Sequence, residues 1–316
     1  MPVPAEIARL VGEIESDRVR GAAELARQAV LVLKAAAEHS RAADVESFLH
    51  EQSGVAQALV FVRPAMAPIR NITTRLTRAV SARAAELDVA SLRAFTISKA
   101  DETVAGSLLA VGRVAQNLVP LIAEGTTVMT HSYSSTVVAA LREAFARRRG
   151  MTVVVTRSGP GRTGEQIARA LAGAAVSVTL VDDAAAAVHM PSVDVVVLGA
   201  DTVCPDGVVN GIGSYQLAVV SAAAGVPLYA LCDSLKFDAG MTRGQVDLEH
   251  GEPSEVAEPA ALPDGVVVDN PRFDITPLEL IAGIVTEEGV LRGSDVASHL
   301  RRLCEDQGAS TEQTQV

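Results

Sequence analysis

The chain of 316 residues has no tryptophan, and aromatic residues make up only 3% of it. A core must therefore be built from Ala, Val and Leu, and the 48% hydrophobic content is ample for a large one. Cysteine is scarce: Cys204, Cys232 and Cys304 show no CxxC spacing, which predicts free thiols in a reducing cytoplasm and not a disulfide framework. Lysine occurs only at Lys34, Lys99 and Lys236, no basic block exists, and the formal net charge is −11. Nucleic-acid binding through a positive patch is thus not expected. The start of the chain lacks a basic region followed by an apolar one, so no signal peptide is expected, and no uninterrupted apolar run reaches membrane-span length. GxxxxGK[ST] is absent, as is a GxSxG elbow. His189, His250 and His299 lack metal-ligand spacing, so neither a metal nor a cofactor is expected.

What is present changes character near residue 125. Up to that point helical periodicity dominates. Ile7, Leu10, Val11 and Ile14 share a face, and Gly21 to Glu38 carries Leu25, Val30, Leu33 and Ala36. A third helix is expected from Ala43 to about Val60, a fourth from about Ile69 to Ala90, and a long one from about Asp101 to Ala123 ended by Gly125. From Thr126 onward short apolar runs alternate with helical stretches: Thr126–Thr130, Met151–Thr156, Val176–Val181, Val193–Leu198 and Pro227–Asp233 read as strands. Alternation of this kind predicts a parallel sheet with helical crossovers. A short strand over Val266–Val268, a helix starting at Thr276-Pro277 and a last helix over Gly293–Leu303 complete the reading. The Gly-, Pro- and Asp-rich stretch between Asp201 and the helix opened by Gly213-Ser214 and that from Gly251 to Gly265 are expected to be loops. The predicted organisation is α/β: a helical N-terminal domain (1–124), a Rossmann-like parallel-sheet domain (125–303) and a disordered tail (304–316).

In an open α/β sheet, ligands bind beyond the C-terminal strand ends and at helix N-termini. Three strand ends carry polar or glycine-rich sequence. After the first strand comes Thr130-His131-Ser132-Tyr133-Ser134-Ser135, whose serines can cap the next helix or meet an anion. After the second comes TRSGPGRTG, in which Arg157 or Arg162 could hold a phosphate. After the fourth comes Gly199-Ala200-Asp201, then Asn210, Gly211, Gly213 and Ser214. A carboxylate at such a strand end suits acid–base work, although Asp201 also has a plain reading as a turn residue. Likewise His131 reads either as a general base or as a hydrogen-bonded packing residue.

The run GADTVCPDGVVNGIGSYQLA resembles the signature of the alpha, beta and delta subunits of translation initiation factor 2B. It is equally similar to their sugar-phosphate isomerase relatives, ribose-1,5-bisphosphate isomerase and methylthioribose-1-phosphate isomerase. Further matches are Arg20-Gly21-Ala22, Arg63-Pro64, Thr130-His131, Thr156-Arg157, Lys236-Phe237 and NPRFDITPLELIAGIVTEEGV from Asn270. The resemblance runs from about Asp17 to Leu303 and implies homodimers or larger homo-oligomers. It also implies a pocket for a phosphorylated sugar or nucleotide, with Arg20, Gly21, Ala22, Arg63, His131, Ser134, Ser135, Arg157, Asn210, Gly213, Ser214 and Lys236 as binding residues. Asp201 and Ser132 fall on the catalytic positions. The isomerases use a cysteine where this chain has Ser132, a proline where it has Ser158 and a lysine where it has Gly211. A serine hydroxyl is a far poorer acid or base than a thiol of pKa about 8.5. The sequence therefore favours an initiation factor 2B-like protein that acts by binding, with a possible protein partner in translation. An aldose–ketose isomerase using Asp201, with Ser132, His131 or Tyr133 as partner, is the alternative.

Overall fold

The computed structural model describes residues 4–173, 176–258 and 261–312, with side chains to residue 303. It divides into two compact units, Met1–Ala110 and Val111–Val316. The division falls inside a helix, ahead of the change in sequence character at residue 125.

The first unit is helical: α1 (Ala5–Ser16), α2 (Ala22–His39), α3 (Val45–Phe61), α4 (Ala67–Ser81) and the start of α5 (Val89–Leu118). Each helix has a local cause. Asp44 caps α3 by accepting from the Ser47 N–H, Pro68 enters the first turn of α4, and Glu24 reaches back to the Gly21 N–H at the start of α2. Helix α2 is central, packed on α1, α3 and α4 through Leu25, Val30 and Leu33, all fully buried. Sequence periodicity carried the fourth helix to Ala90. The structure ends α4 at Ser81 and starts α5 at Val89, because Asp88 accepts from the Ser91 N–H and opens a new helix.

Helix α5 and the turn after it, Val89–Leu121, are long and apolar enough to cross a membrane by length and composition alone. The stretch is not an apolar run, since Arg93, Lys99, Asp101, Glu102 and Arg113 lie within it. Length and composition are weak evidence, since a core helix meets the same test. Helix α5 buries Leu92, Thr96 and Ala100 and carries Asp101, which pairs with Lys34 at 2.7 Å.

The second unit is built on a seven-stranded sheet of order β10-β9-β7-β4-β1-β2-β3. All pairs are parallel except β9–β10. The strands are β1 (Thr127–Thr130), β2 (Thr152–Thr156), β3 (Ser177–Val181), β4 (Val195–Gly199), β7 (Leu228–Leu231), β9 (Gly283–Thr286) and β10 (Gly289–Leu291). Alternate side chains of the central strands enter two cores. Val128, Val153, Val155, Val195 and Val197 pack with α6 (Ser135–Arg147) and α7 (Gly164–Ala172). Met129, Val154, Val196 and Leu198 pack with α8 (Ala186–His189) and α9 (Ser214–Ala223). This is a doubly wound sheet.

A second, antiparallel sheet was not expected. It consists of β5 (Thr202–Cys204), β6 (Gly207–Gly211) and β8 (Phe273–Thr276). The stretch read as a loop after Asp201 is a hairpin turning at Pro205-Asp206. Gly207 there has φ 149° and lies so close to the Thr276 carbonyl that no Cβ would fit. Thr276-Pro277 does not start a helix, because Thr276 ends β8 and only one 3₁₀ turn (Leu278–Leu280) follows. Val266–Val268 is not a strand: it pairs with no strand among the described residues, and Val267 is 88% exposed. The last helix, α10 (Ser294–Glu312), runs beyond Leu303 into the stretch expected to be disordered, which contains no proline to stop it; residues 313–316 lie outside the described residues.

Candidate active site

In the main sheet, chain order runs outward in both directions from the β1–β4 pair. This reversal is the topological switch point, and the crevice beyond it is where such sheets bind ligands. Thr130-His131-Ser132 leaves β1 there, and Gly199-Ala200-Asp201 leaves β4. The hairpin β5–β6 and the start of α9 close the crevice. The backbone is tight: a Cβ on Gly199 would lie 2.7 Å from the Ser134 Cβ, and one on Gly213 would lie 2.7 Å from the His131 ring.

His131 is buried and both ring nitrogens are engaged. Nε2 lies 2.6 Å from the Ile212 carbonyl and Nδ1 lies 2.6 Å from the Thr156 hydroxyl. A carbonyl only accepts, so Nε2 carries the proton and Nδ1 accepts from Thr156. Burial pushes the imidazole pKa below 6.5, opposed by the Ile212 carbonyl and by Asp183. His131 is thus a neutral tie between β1, β2 and the segment entering α9. Tyr133 packs against the core beside α6.

Two groups of amides that could receive an anion are occupied by carboxylates of the chain itself. Asp274, on β8, accepts from the N–H groups of Gly213 (2.7 Å) and Tyr215 (3.1 Å) at the start of α9. Burial raises its pKa to about 6 against the lowering effect of those amides. Asp183 accepts from the N–H groups of Ser158 and Gly159, each at 2.7 Å, and so holds the loop after β2. The Ser214 hydroxyl donates to the Gly211 carbonyl and accepts from the Asn210 amide. Around the start of α6 the polar capacity is less committed. Ser134 caps the helix through the Val137 N–H at 3.3 Å, while the buried hydroxyls of Thr130, Ser135 and Thr136 have no hydrogen-bond partner among the described residues.

Asp201 is partly buried, and its N–H donates to the Val209 carbonyl, tying it to β6. Ser132 is partly exposed with φ 62°, and its hydroxyl lies 3.4 Å from that of Thr163. Lys236 is buried, its ammonium donating to the Ala200 carbonyl one residue before Asp201. Arg157 is half-exposed and 3.9 Å from Asp182, and Arg162 pairs with Glu165. In the helical unit, Arg20 lies 3.6 Å from Asp17 and Arg63 donates to the Asp17 carbonyl at 2.8 Å, which gathers them beside Gly21 and Ala22 at the start of α2. Thr163, Asp183 and Asp274 were not singled out from the sequence, since each acts through a contact distant along the chain.

Comparison with known proteins supplies the family. The sequence model of the Initiation factor 2 subunit family matches residues 18–293. A protein of Haloferax volcanii named ribose 1,5-bisphosphate isomerase is 33% identical over 305 residues, covering 95% of this chain and 93% of that one. A Pyrococcus furiosus protein named putative translation initiation factor eIF-2B subunit 2-like is 29% identical, covering 92% and 97%. The crystal structure of the Pyrococcus horikoshii OT3 translation initiation factor eIF-2B superposes with a TM-score of 0.78 at 26% identity, covering 91% and 97%. The chain belongs to the Initiation factor 2 subunit family.

Proposed function

We propose that this protein is an aldose–ketose isomerase of a phosphorylated pentose, with Asp201 as its acid–base group. The observation that carries the reading is the position of Asp201 and Ser132: they follow adjacent strands at the switch point. The 33% identity to a relative named ribose 1,5-bisphosphate isomerase supports it and moves the weight from a binding protein to an enzyme. With ribose 1,5-bisphosphate the C1–O4 ring bond breaks, C2 is oxidised to the carbonyl as it loses its hydrogen and C1 gains one, and the proton of the C2 hydroxyl goes to O4, which becomes a free hydroxyl. Electrons balance within the molecule, so no external redox partner is required. Asp201 takes a proton from the substrate and returns one after the enediol-like state forms, or moves the hydroxyl proton while hydride shifts internally. Of the three possible partners, His131 has no free nitrogen and Tyr133 lays its ring against the core beside α6. Ser132 remains, as a hydrogen-bond donor to the developing oxyanion. The start of α6 at Ser135, with the half-exposed Arg157, is the part of this unit suited to a phosphate.

The test is turnover of ribose 1,5-bisphosphate to ribulose 1,5-bisphosphate by the purified protein. Asp201→Asn should lower kcat by about 10²–10⁴-fold, the usual worth of a general acid–base group. A second reading, an initiation factor 2B-like protein that binds a phosphorylated sugar or nucleotide without converting it, is favoured by Ser132 alone, a hydroxyl where the isomerases use a thiol. Thermal stabilisation by the sugar phosphate with no turnover would establish that reading and remove the first.

A further inference from the structure

Ser158 and Gly211, at the ends of two other strands, each meet Ser132 at the crevice. Ser132, after β1, has the left-handed φ of 62° that a non-glycine residue keeps only when its surroundings hold it. Its N–H donates to the Ser158 hydroxyl at 2.7 Å. Ser158, after β2, is buried and itself left-handed at φ 61°, and its N–H is held by Asp183. His131, the residue before Ser132, is tied at both ring nitrogens. The backbone at 131–132 is therefore pinned from two sides.

The third residue is Gly211, at the end of β6. It is paired opposite Phe273 as ordinary strand, so its backbone would accept any side chain. The space would not: a Cβ there would lie 2.2 Å from the Ser132 Oγ and 2.8 Å from the Ser132 Cβ. Rotating the hydroxyl relieves the first contact but not the second, because the Cβ moves only with the pinned backbone.

We propose that Ser158 and Gly211 are positioning residues for Ser132. Ser158 fixes its backbone, and Gly211 leaves open the volume into which its side chain projects. The steric coupling stands by itself, and only its effect on turnover rests on the isomerase reading.

A cycle of Gly211→Ala, Ser132→Gly and the double variant tests this by thermal denaturation. Gly211→Ala should lower the melting temperature by about 4 °C or more. Ser132→Gly suits the left-handed backbone and should not, and in the double variant most of the loss should return. If Gly211→Ala does not fold, recovery of folded protein in the double variant gives the same answer. A double variant as unstable as Gly211→Ala alone overturns the proposal. With ribose 1,5-bisphosphate as substrate, Gly211→Ala should lower kcat at least tenfold while KM stays within about threefold, a split that loss of packing alone would not produce. Unchanged kcat overturns the positioning role. Absence of turnover in the unaltered protein removes the isomerase reading and leaves the coupling to be decided by the melting temperatures.

Discussion

At the scale of single residues, the crevice is shaped by groups whose charge the fold has adjusted. Asp274 illustrates the sign. Its folded pKa of about 6 lies above the ordinary 3.8, so the folded state holds the proton more tightly than the unfolded chain. Its contribution is complete below about pH 3.8 and is lost as pH rises through 6. A shift of about two units corresponds to up to about 3 kcal/mol. Asp274→Asn keeps an acceptor for the Gly213 and Tyr215 amides but removes the titration. Urea denaturation between pH 4 and 7 should show the unaltered protein losing stability relative to Asp274→Asn over that window, and a constant difference would refute the shift. His131 has the opposite linkage. Its pKa is lowered, so the imidazole loses stability for the fold as pH falls below 6.5. The sequence left His131 open between general base and packing residue. The Ile212 and Thr156 contacts make it a packing residue, and only three-dimensional proximity supplies them.

At the scale of elements, what the sequence made legible depended on the range of the forces involved. Strands β1, β2, β3, β4 and β7 were visible as apolar runs followed by helical stretches, because burial on both faces leaves a continuous signature. The hairpin β5–β6 is locally encoded in Pro205-Asp206-Gly207 between valines, a turn signal that by itself does not tell a hairpin from a loop. Strand β8 had no comparable signal, since FDIT becomes strand only by pairing with β6, some sixty residues earlier. Contacts between elements also set glycine requirements that composition does not reveal. A Cβ on Gly164, where α7 begins, would meet the Thr156 carbonyl oxygen at 1.8 Å. Gly164→Ala should cost about 3 kcal/mol in chemical denaturation, whereas Gly161→Ala in the same loop, with nothing nearer than 3.8 Å, should change stability by less than about 0.5 kcal/mol.

At the scale of the whole molecule, the surface of the sheet unit suggests self-association. Helix α9 buries Leu217 and Ala218 on one side and still presents large apolar side chains on the other, beside the exposed Gln216. Its outer face exposes Tyr215 (41%) and Val219 (48%), and Val188 on the adjacent α8 is 78% exposed. We expect a homodimer through this face. Light scattering on the purified protein should give twice the 32.8 kDa chain mass, and Val219→Glu should halve it; a monomer at micromolar concentration for the unaltered protein would rule the interface out.

The sequence by itself determined the α/β class, the helical first unit, the parallel strands β1, β2, β3, β4 and β7 (but not β9) and the family, because periodicity, burial and a contiguous motif are properties of neighbouring residues. It also marked Asp201 and Ser132. Tertiary structure alone decided the strand order that brings those two to one crevice. It also decided that Asp183 and Asp274 occupy amides otherwise open to a ligand, and that Gly211 must lack a side chain beside Ser132. Each of these depends on groups tens of residues apart being held within a few ångströms, and a linear reading contains no such distance.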